Sequence, residues 1–433
     1  MLLKKTGLFS LTALVALAHA SENTLDKYLP IKPQEEYALE NPNFAQKNRK
    51  KNLLDVVTEI HAIQDIIRAY LCEWQTALFH KQIPGRSHEP IIEAELFSPD
   101  SNKLAILYQN TNQAKLRIFD LTRRKFILFP VNNKNTLVVH ANRAHALDFS
   151  PDGSQVATGS WEPEGSAKIW DAQTGTCLYT LNLGNNAIQQ VKYSPNGAYL
   201  ALSGKKNALF KTENFTQVGS NLCTDSKLID RAFFSPDSTL IAFASKHKNT
   251  VHIYETRNSS PVQVIKHPTK KAKINAVLFS ADNKQVIIAV KSYTPHCITV
   301  WDTQTGKHIQ TFDCDGYAYF LAPSPTKNIF ATGESITQSI KIWDAQNYTL
   351  LKTYSVPFTG DINEVAFSHD GKYIAGMGQN AFIWDTRTGD LVSHVKTENN
   401  GEEIKFSGNF KNIAIHRPFQ VLQAVTPDTS DNT

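Results

Sequence analysis

Apolar and polar residues alternate along this chain in two rhythms. Over residues 52–71 the apolar positions Leu53, Val56, Ile60, Ile63, Ile67 and Tyr70 recur at alternating steps of three and four, and Leu54, Val57, Ile66 and Leu71 widen the stripe. That is the apolar face of an amphipathic helix, predicted over 51–73. From residue 74 onward the rhythm shortens to that of strands. Residues 143–183 show it best. Ala146 and Asp148 alternate with Leu147 and Phe149, and Pro151-Asp152-Gly153 then turns the chain. Proline presets its φ, Asp caps the turn through its side chain, and Gly accepts positive φ. Residues 156–160 read as a second strand of small and branched residues, and 167–171 as a third. Thr174-Gly175 turns again, and 177–181 is a fourth strand.

This unit repeats. Its first turn recurs as Phe97-Ser-Pro-Asp100, Phe149-Ser-Pro-Asp-Gly153, Tyr193-Ser-Pro-Asn-Gly197, Phe234-Ser-Pro-Asp237, Phe279-Ser-Ala-Asp282 and Phe367-Ser-His-Asp-Gly371, with worn copies at Pro323-Ser-Pro325 and Phe406-Ser-Gly408. Trp170-Asp171, Trp301-Asp302, Trp343-Asp344 and Trp384-Asp385 fall between copies, and Phe119-Asp120 and Tyr254-Glu255 are weaker versions. The Thr-Gly turn returns at Thr305-Gly306 and Thr388-Gly389. The turns begin 52, 44, 41, 45, 44, 44 and 39 residues apart. One such sheet cannot bury both faces alone, so its neighbours must stack on it. A period of this length therefore indicates an all-β β-propeller of four-stranded blades. Eight units are legible, beginning near Ile91, Arg143, Ala187, Leu228, Lys273, Gly316, Asp361 and Gly401. Seven blades result if the first or last unit is decoration. The eighth unit lacks a fourth strand, and residues 75–80 read as a lone strand that would supply it and remove an exposed edge.

The Trp-Asp pairs together with the Ser-Pro-Asp-Gly turns resemble the WD-repeat family of β-propellers over roughly residues 74–426. That family usually adds a Gly-His pair before the first strand of a blade and an Asp between the second and third. His140 is the best match to the His, and the Asp is nearly absent. The resemblance implies an interaction platform without catalytic chemistry. It also implies blades that rest on apolar stacking more than on the family's buried His-Asp-Ser-Trp network.

The first twenty residues read as a secretory leader. Lys4-Lys5 give a positive start, residues 7–18 an apolar core and Ala18-His19-Ala20 a small-x-small cleavage site. No Cys follows that site, and the apolar run is short for a membrane anchor. The expectation is an exported, bacterial protein that is periplasmic or extracellular and has no stable membrane insertion. Residues 21–50 read as a flexible polar arm and 427–433 as a disordered tail. The formal charge is +5, and it falls to +3 once Lys4 and Lys5 are removed, because residues 1–20 hold no acid. That bias is too weak for a nucleic-acid partner. Five cysteines (Cys72, Cys177, Cys223, Cys297, Cys314) leave at least one thiol unpaired, and they are expected as small buried strand residues.

No phosphate loop, nucleophile elbow or zinc-binding helix motif occurs, and the fourteen histidines are scattered. No catalytic residue, metal site or cofactor is assigned. The turns between strands one and two, and between three and four, are uniformly short. The other two connections vary and share one face of a propeller, where binding residues collect. The candidates there are Tyr293 and His296 in an extended loop of unit five, Tyr317 in the connection that follows, and Trp161 in unit two, across the ring. The leading function is a scaffold binding protein or peptide partners outside the cytoplasm. The alternatives are an exported propeller enzyme of hydrolase or lactonase type and a periplasmic translocation-associated propeller.

Overall fold

The computed structural model describes residues 91–423, apart from 111–112, 130–133, 220–221, 223–230, 246–248, 269–272, 292–295, 315–317, 335–337, 356–361, 363, 378–379, 397–403, 409–411 and 416–419. The predicted leader, arm, helix and lone strand at 75–80 lie outside these residues, as does the tail. The described residues form eight antiparallel sheets and no α-helix. We number them as blades: one, 91–140; two, 144–182; three, 188–211; four, 231–266; five, 273–314; six, 318–355; seven, 364–396; and eight, 404–423. In each blade consecutive strands are hydrogen-bonded neighbours. First strands of successive blades lie side by side from blade one to blade seven, and the first strand of blade one, Ile91–Phe97, also lies against that of blade eight, Ile404–Phe406. The series thus returns on itself.

The repeated turn wording has a physical cause. In blade two the buried Ser150 donates its Oγ hydrogen to Asp152 Oδ1 (2.5 Å) and accepts the Gln155 N–H (2.9 Å). Asp152 in turn accepts the Ser154 N–H (3.0 Å). The same arrangement holds in blade four through Ser235 and Asp237, in blade five through Ser280 and Asp282, and in blade seven through Ser368 and Asp370. The Asp of each Trp-Asp pair caps the next turn. Asp171 accepts the Gln173 and Thr174 N–H groups, and Asp385 those of Arg387 and Thr388. These are side chains that mimic a backbone turn. Gly153 and Gly175 sit at φ +69° and +73°, the left-handed region that glycine tolerates best.

Trp170, Trp301, Trp343 and Trp384 are all buried, as their common place in the repeat predicts. A one-residue register shift precedes each of them in the pairing of the third with the fourth strand, for example between Ile169 and Trp170. Such a bulge re-aims the ring it precedes. A second bulge opens the first strand of blades one, two, three, five and six.

Three blades depart from four strands. In blade one the fourth position is split between Lys125–Phe126 and Leu137–His140, both paired with Gln113–Asp120. The residues between the two halves account for the long 52-residue first interval. Blade three has three strands among the described residues, with isolated bridges from Asn207 to Leu222 and from Phe210 to Gln217 at the fourth position. Blade eight has three strands among the described residues. One cysteine expectation is corrected: Cys177 is exposed, because it opens the outermost strand of blade two, Cys177–Asn182, whose first four side chains face solvent. Cys72 and Cys223 lie outside the described residues.

Candidate functional site

The variable connections of blades two and three build one well-defined surface. The loop 161–165 of blade two is held from three sides. The Trp161 N–H donates to the Arg143 carbonyl (2.8 Å), the Gly165 N–H to the Trp161 carbonyl (3.2 Å), and the Leu183 N–H to the Gly165 carbonyl (3.0 Å). Gly165 has φ +54°, and a Cβ there would collide with the Gly184 carbonyl, so no other residue fits this close approach. Glu164 anchors the loop from below. Its carboxylate accepts from the Ala141 N–H (3.0 Å) and the Ser166 hydroxyl (2.8 Å), and lies 3.0 Å from Lys168 Nζ.

Behind Glu164 runs a chain of polar contacts into the blade. His140 Nδ1 lies 2.9 Å from Glu164 Oε1, and His140 Nε2 lies 2.9 Å from Thr158 Oγ1. Thr158 Oγ1 accepts the indole hydrogen of Trp170 (3.0 Å). Burial drives the His140 pKa below its ordinary value and outweighs the pull of Glu164, so the ring is neutral and gives Glu164 a hydrogen bond. Burial pushes the Glu164 carboxyl up, but the hydrogen bonds from His140, Ser166 and Lys168 prevail and hold it at about 2. Lys168 supplies the countercharge. Blade two therefore contains the buried His–acid–hydroxyl–Trp network expected to be missing from most blades. A glutamate in an expanded loop stands where the family's turn Asp would be, and a threonine stands for its Ser. The other blades hold less of it: Trp343 donates to Thr332 (3.0 Å) and Trp301 to Thr299 (2.9 Å).

Above this network Trp161 stands 40% exposed. The Arg143 guanidinium lies over its face at 5.9 Å from the centroid, and His145 meets it edge-on at 4.9 Å. Glu93 of blade one, itself nearly covered, binds Arg143 Nη2 (3.1 Å) and His145 Nδ1 (2.5 Å) and ties this cluster across the blade boundary. Glu93 and His145 are the residues skipped at the bulges in their first strands. Those bulges carry them out of strand register. Lys205, in the corresponding loop of blade three, closes an ion pair with Glu162 of the Trp161 loop.

Below the surface, side chains of the first strands link blade to blade. Asp148 accepts the Tyr193 N–H (2.8 Å) and binds Lys192 (3.1 Å); burial pushes its carboxyl up against these contacts. Gln190 accepts the Ala232 N–H (2.7 Å), and Arg231 donates to the Asn275 carbonyl (3.0 Å). These contacts join blades two to five, with Asp148 and Tyr193 beside the short turns and Gln190 and Arg231 nearer the variable-connection end.

Of the four sequence candidates, Trp161 is the one whose surroundings are described. Its ring rests on Arg143 and His145, outside its own loop. Tyr293 and Tyr317 lie outside the described residues. His296 begins the third strand of blade five, His296–Asp302, and its side chain is also outside them. Sequence reasoning missed Glu164, Arg143 and Glu93. An acid two residues before Ser166 in an expanded turn was the available signal for Glu164; nothing local marks the other two.

A family model described as WD domain, G-beta repeat matches residues 132–171 and 348–385. The first match contains all four members of the His140–Glu164–Thr158–Trp170 network. The chain is 22% identical over 347 residues to Protein tipD of Dictyostelium discoideum, covering 75% of this chain and 54% of that protein. It is 23% identical over 284 residues to mouse eukaryotic translation initiation factor 3 subunit I, covering 59% of this chain and 84% of that one. The crystal structure of Sqt1 from Chaetomium thermophilum superposes with a TM-score of 0.63 at 17% identity, covering 78% of this chain and 97% of that one. The chain thus spans about half the length of the Dictyostelium protein. Both sequence relatives are eukaryotic and lend no support to a bacterial origin. Two stretches of the chain thus match the WD40 repeat model, and its eight stacked antiparallel sheets have the β-propeller fold of the solved structure it resembles.

Proposed function

We propose that this propeller is a non-catalytic platform that binds a protein or peptide partner through the variable-connection face. The observation carrying this is Trp161, a large exposed ring on a loop that is immobilised by a buried network. Rigid aromatic anchors of this kind dominate binding energy at interfaces, because little freedom is lost on docking. The opposite face offers no comparable anchor among the described residues. Its carboxylates are occupied with their own turns, as for Asp152, Asp171 and Asp385. The relatives' names span unlike processes. One is a subunit of a translation initiation factor, so the likeness supports assembly with other proteins and carries no particular process to this chain. No specific observation favours the hydrolase or the translocation-associated reading.

Affinity purification of the tagged protein, with mass spectrometry of what it retains, tests the proposal. Trp161→Ala should lose the retained partner and Lys372→Ala, in a turn on the opposite face, should keep it. The reverse result would move the function to the short-turn face. Export through the leader at 1–20 belongs to the same proposal. Its check is N-terminal sequencing of the mature protein, which should begin at Ser21.

A further inference from the structure

Among the described residues, the exposed charge on the variable-connection face of blades two to five is lopsided. Arg143, Lys205, Lys206, Lys266 and Lys273 all stand exposed at strand ends or loops on this side. The acids described there face inward or are engaged. Glu164 is enclosed by His140, Ala141, Ser166 and Lys168, and Glu162 is paired with Lys205. Glu93, on the edge of blade one, has a side chain only 7% exposed, against 50% for its partner Arg143. Glu93 and Glu164 thus lie beneath the surface, and Glu162, the exposed acid of the Trp161 loop, is neutralised by Lys205. On the short-turn face exposed charges of both signs mix instead, as in Lys284 beside Asp282 and Lys372 beside Asp370.

We infer that the partner segment recognised on this face is an acidic peptide with an apolar residue that seats on Trp161. The inference rests on the platform reading above. A stretch of Asp and Glu would run along the cations of blades two to five, and the side chain on Trp161 would fix its register. Such a surface steers oppositely charged partners and discriminates against like-charged ones. The overall charge of +5 does not reveal it, because exposed acids accompany the cations on the short-turn face.

The test uses the full-length protein and three fluorescein-labelled probes. The first is a peptide of alternating Glu and Asp with one central Leu. The second is its Gln/Asn counterpart with the same Leu, and the third is a single-stranded oligonucleotide of equal charge. Anisotropy titrations at low salt should show the acidic peptide binding, the neutral one failing, and the oligonucleotide bound at least tenfold more weakly than the peptide. The triple change Lys206→Gln, Lys266→Gln and Lys273→Gln touches none of the buried network and should weaken acidic-peptide binding by about tenfold. Trp161→Ala should weaken it as well, and Lys372→Gln should not. Absence of acidic-peptide binding overturns the inference, as does an oligonucleotide that binds equally well. If the triple variant binds like the native protein while Trp161→Ala does not, the charge claim falls and the platform reading stands. If Lys372→Gln alone weakens binding, both fall.

Discussion

Blade two and blade seven carry the same Phe-Ser-x-Asp-Gly turn and the same Trp-Asp pair, and both match the repeat model. They differ behind the tryptophan. In blade two Trp170 donates to Thr158, which leads through His140 to Glu164 and the Trp161 loop. In blade seven the residue at the Thr158 position is Gly376, which offers no hydroxyl. Trp384 sits instead among rings, with Tyr354 at 5.5 Å and Phe382 at 5.8 Å. A Cβ at Gly376 would lie 2.4 Å from Ile340 Cδ1, so a larger residue there needs the Ile340 side chain to move aside. The same strand framework is therefore held in two ways. A polar network ends in a loop and fixes its shape, whereas an apolar stack fixes only the sheet. The proposed binding face lies where the network reaches the surface.

The largest effects should be common to both blades. Trp170→Ala and Trp384→Ala each remove a buried ring and should cost about 3–5 kcal/mol in denaturant-induced unfolding. A cost below 1 kcal/mol at either site would contradict the packing described. The next change separates the blades. His140→Leu removes one hydrogen bond from Glu164, which keeps Ala141, Ser166 and Lys168, and one from Thr158, which keeps Trp170, and should cost about 1–2 kcal/mol. Trp170→Phe and Trp384→Phe should then differ by about 1 kcal/mol, since the first loses a buried hydrogen bond and the second loses none to a side chain. Equal costs for the two would remove the distinction.

A smaller effect comes from acid. Burial lowers the His140 pKa below the ordinary 6.5, and burial together with the nearby His308 takes His267 down to about 4. A folded-state histidine pKa below the unfolded value means that the unfolded chain binds the proton first. Stability is then full above 6.5 and is lost as pH falls toward the folded value. Glu164, held at about 2 against an ordinary 4.5, adds a second loss between those values. The urea midpoint should therefore drop steadily below about pH 6.5, and His267→Gln should flatten the upper part of that fall. A midpoint unchanged between neutral pH and pH 5 would contradict the burial of both rings.

The framework was legible because it is local. Ser150 and Asp152, or Asp171 and Thr174, are separated by two or three residues, and each turn states its own chemistry. The tryptophans' burial followed from their recurring place. The site was legible only at Trp161, whose aromatic ring in an expanded loop is visible in one dimension. Its supports were not. Glu93 reaches Arg143 from fifty residues away, and His140 reaches Glu164 from twenty-four. Any polar residue at such distances reads as surface until stacking brings the blades together. The bulges that bring Glu93 and His145 to each other likewise leave no mark on the hydrophobic pattern. Cys177 was misread because strand membership was taken for burial, yet the fourth strand of a blade is its outer edge.

The central claim, that a buried network in blade two immobilises the loop carrying Trp161, is tested most directly by amide hydrogen exchange on the native protein and on Glu164→Ala. The native Ala141, Trp161 and Gly165 amides each have an acceptor and should be protected. In the variant these three should exchange at least tenfold faster, while Gly175, in the short turn at the other end of the same blade, keeps its rate. Unchanged protection at Trp161 and Gly165 would show that the loop holds its shape without the network and would contradict the account.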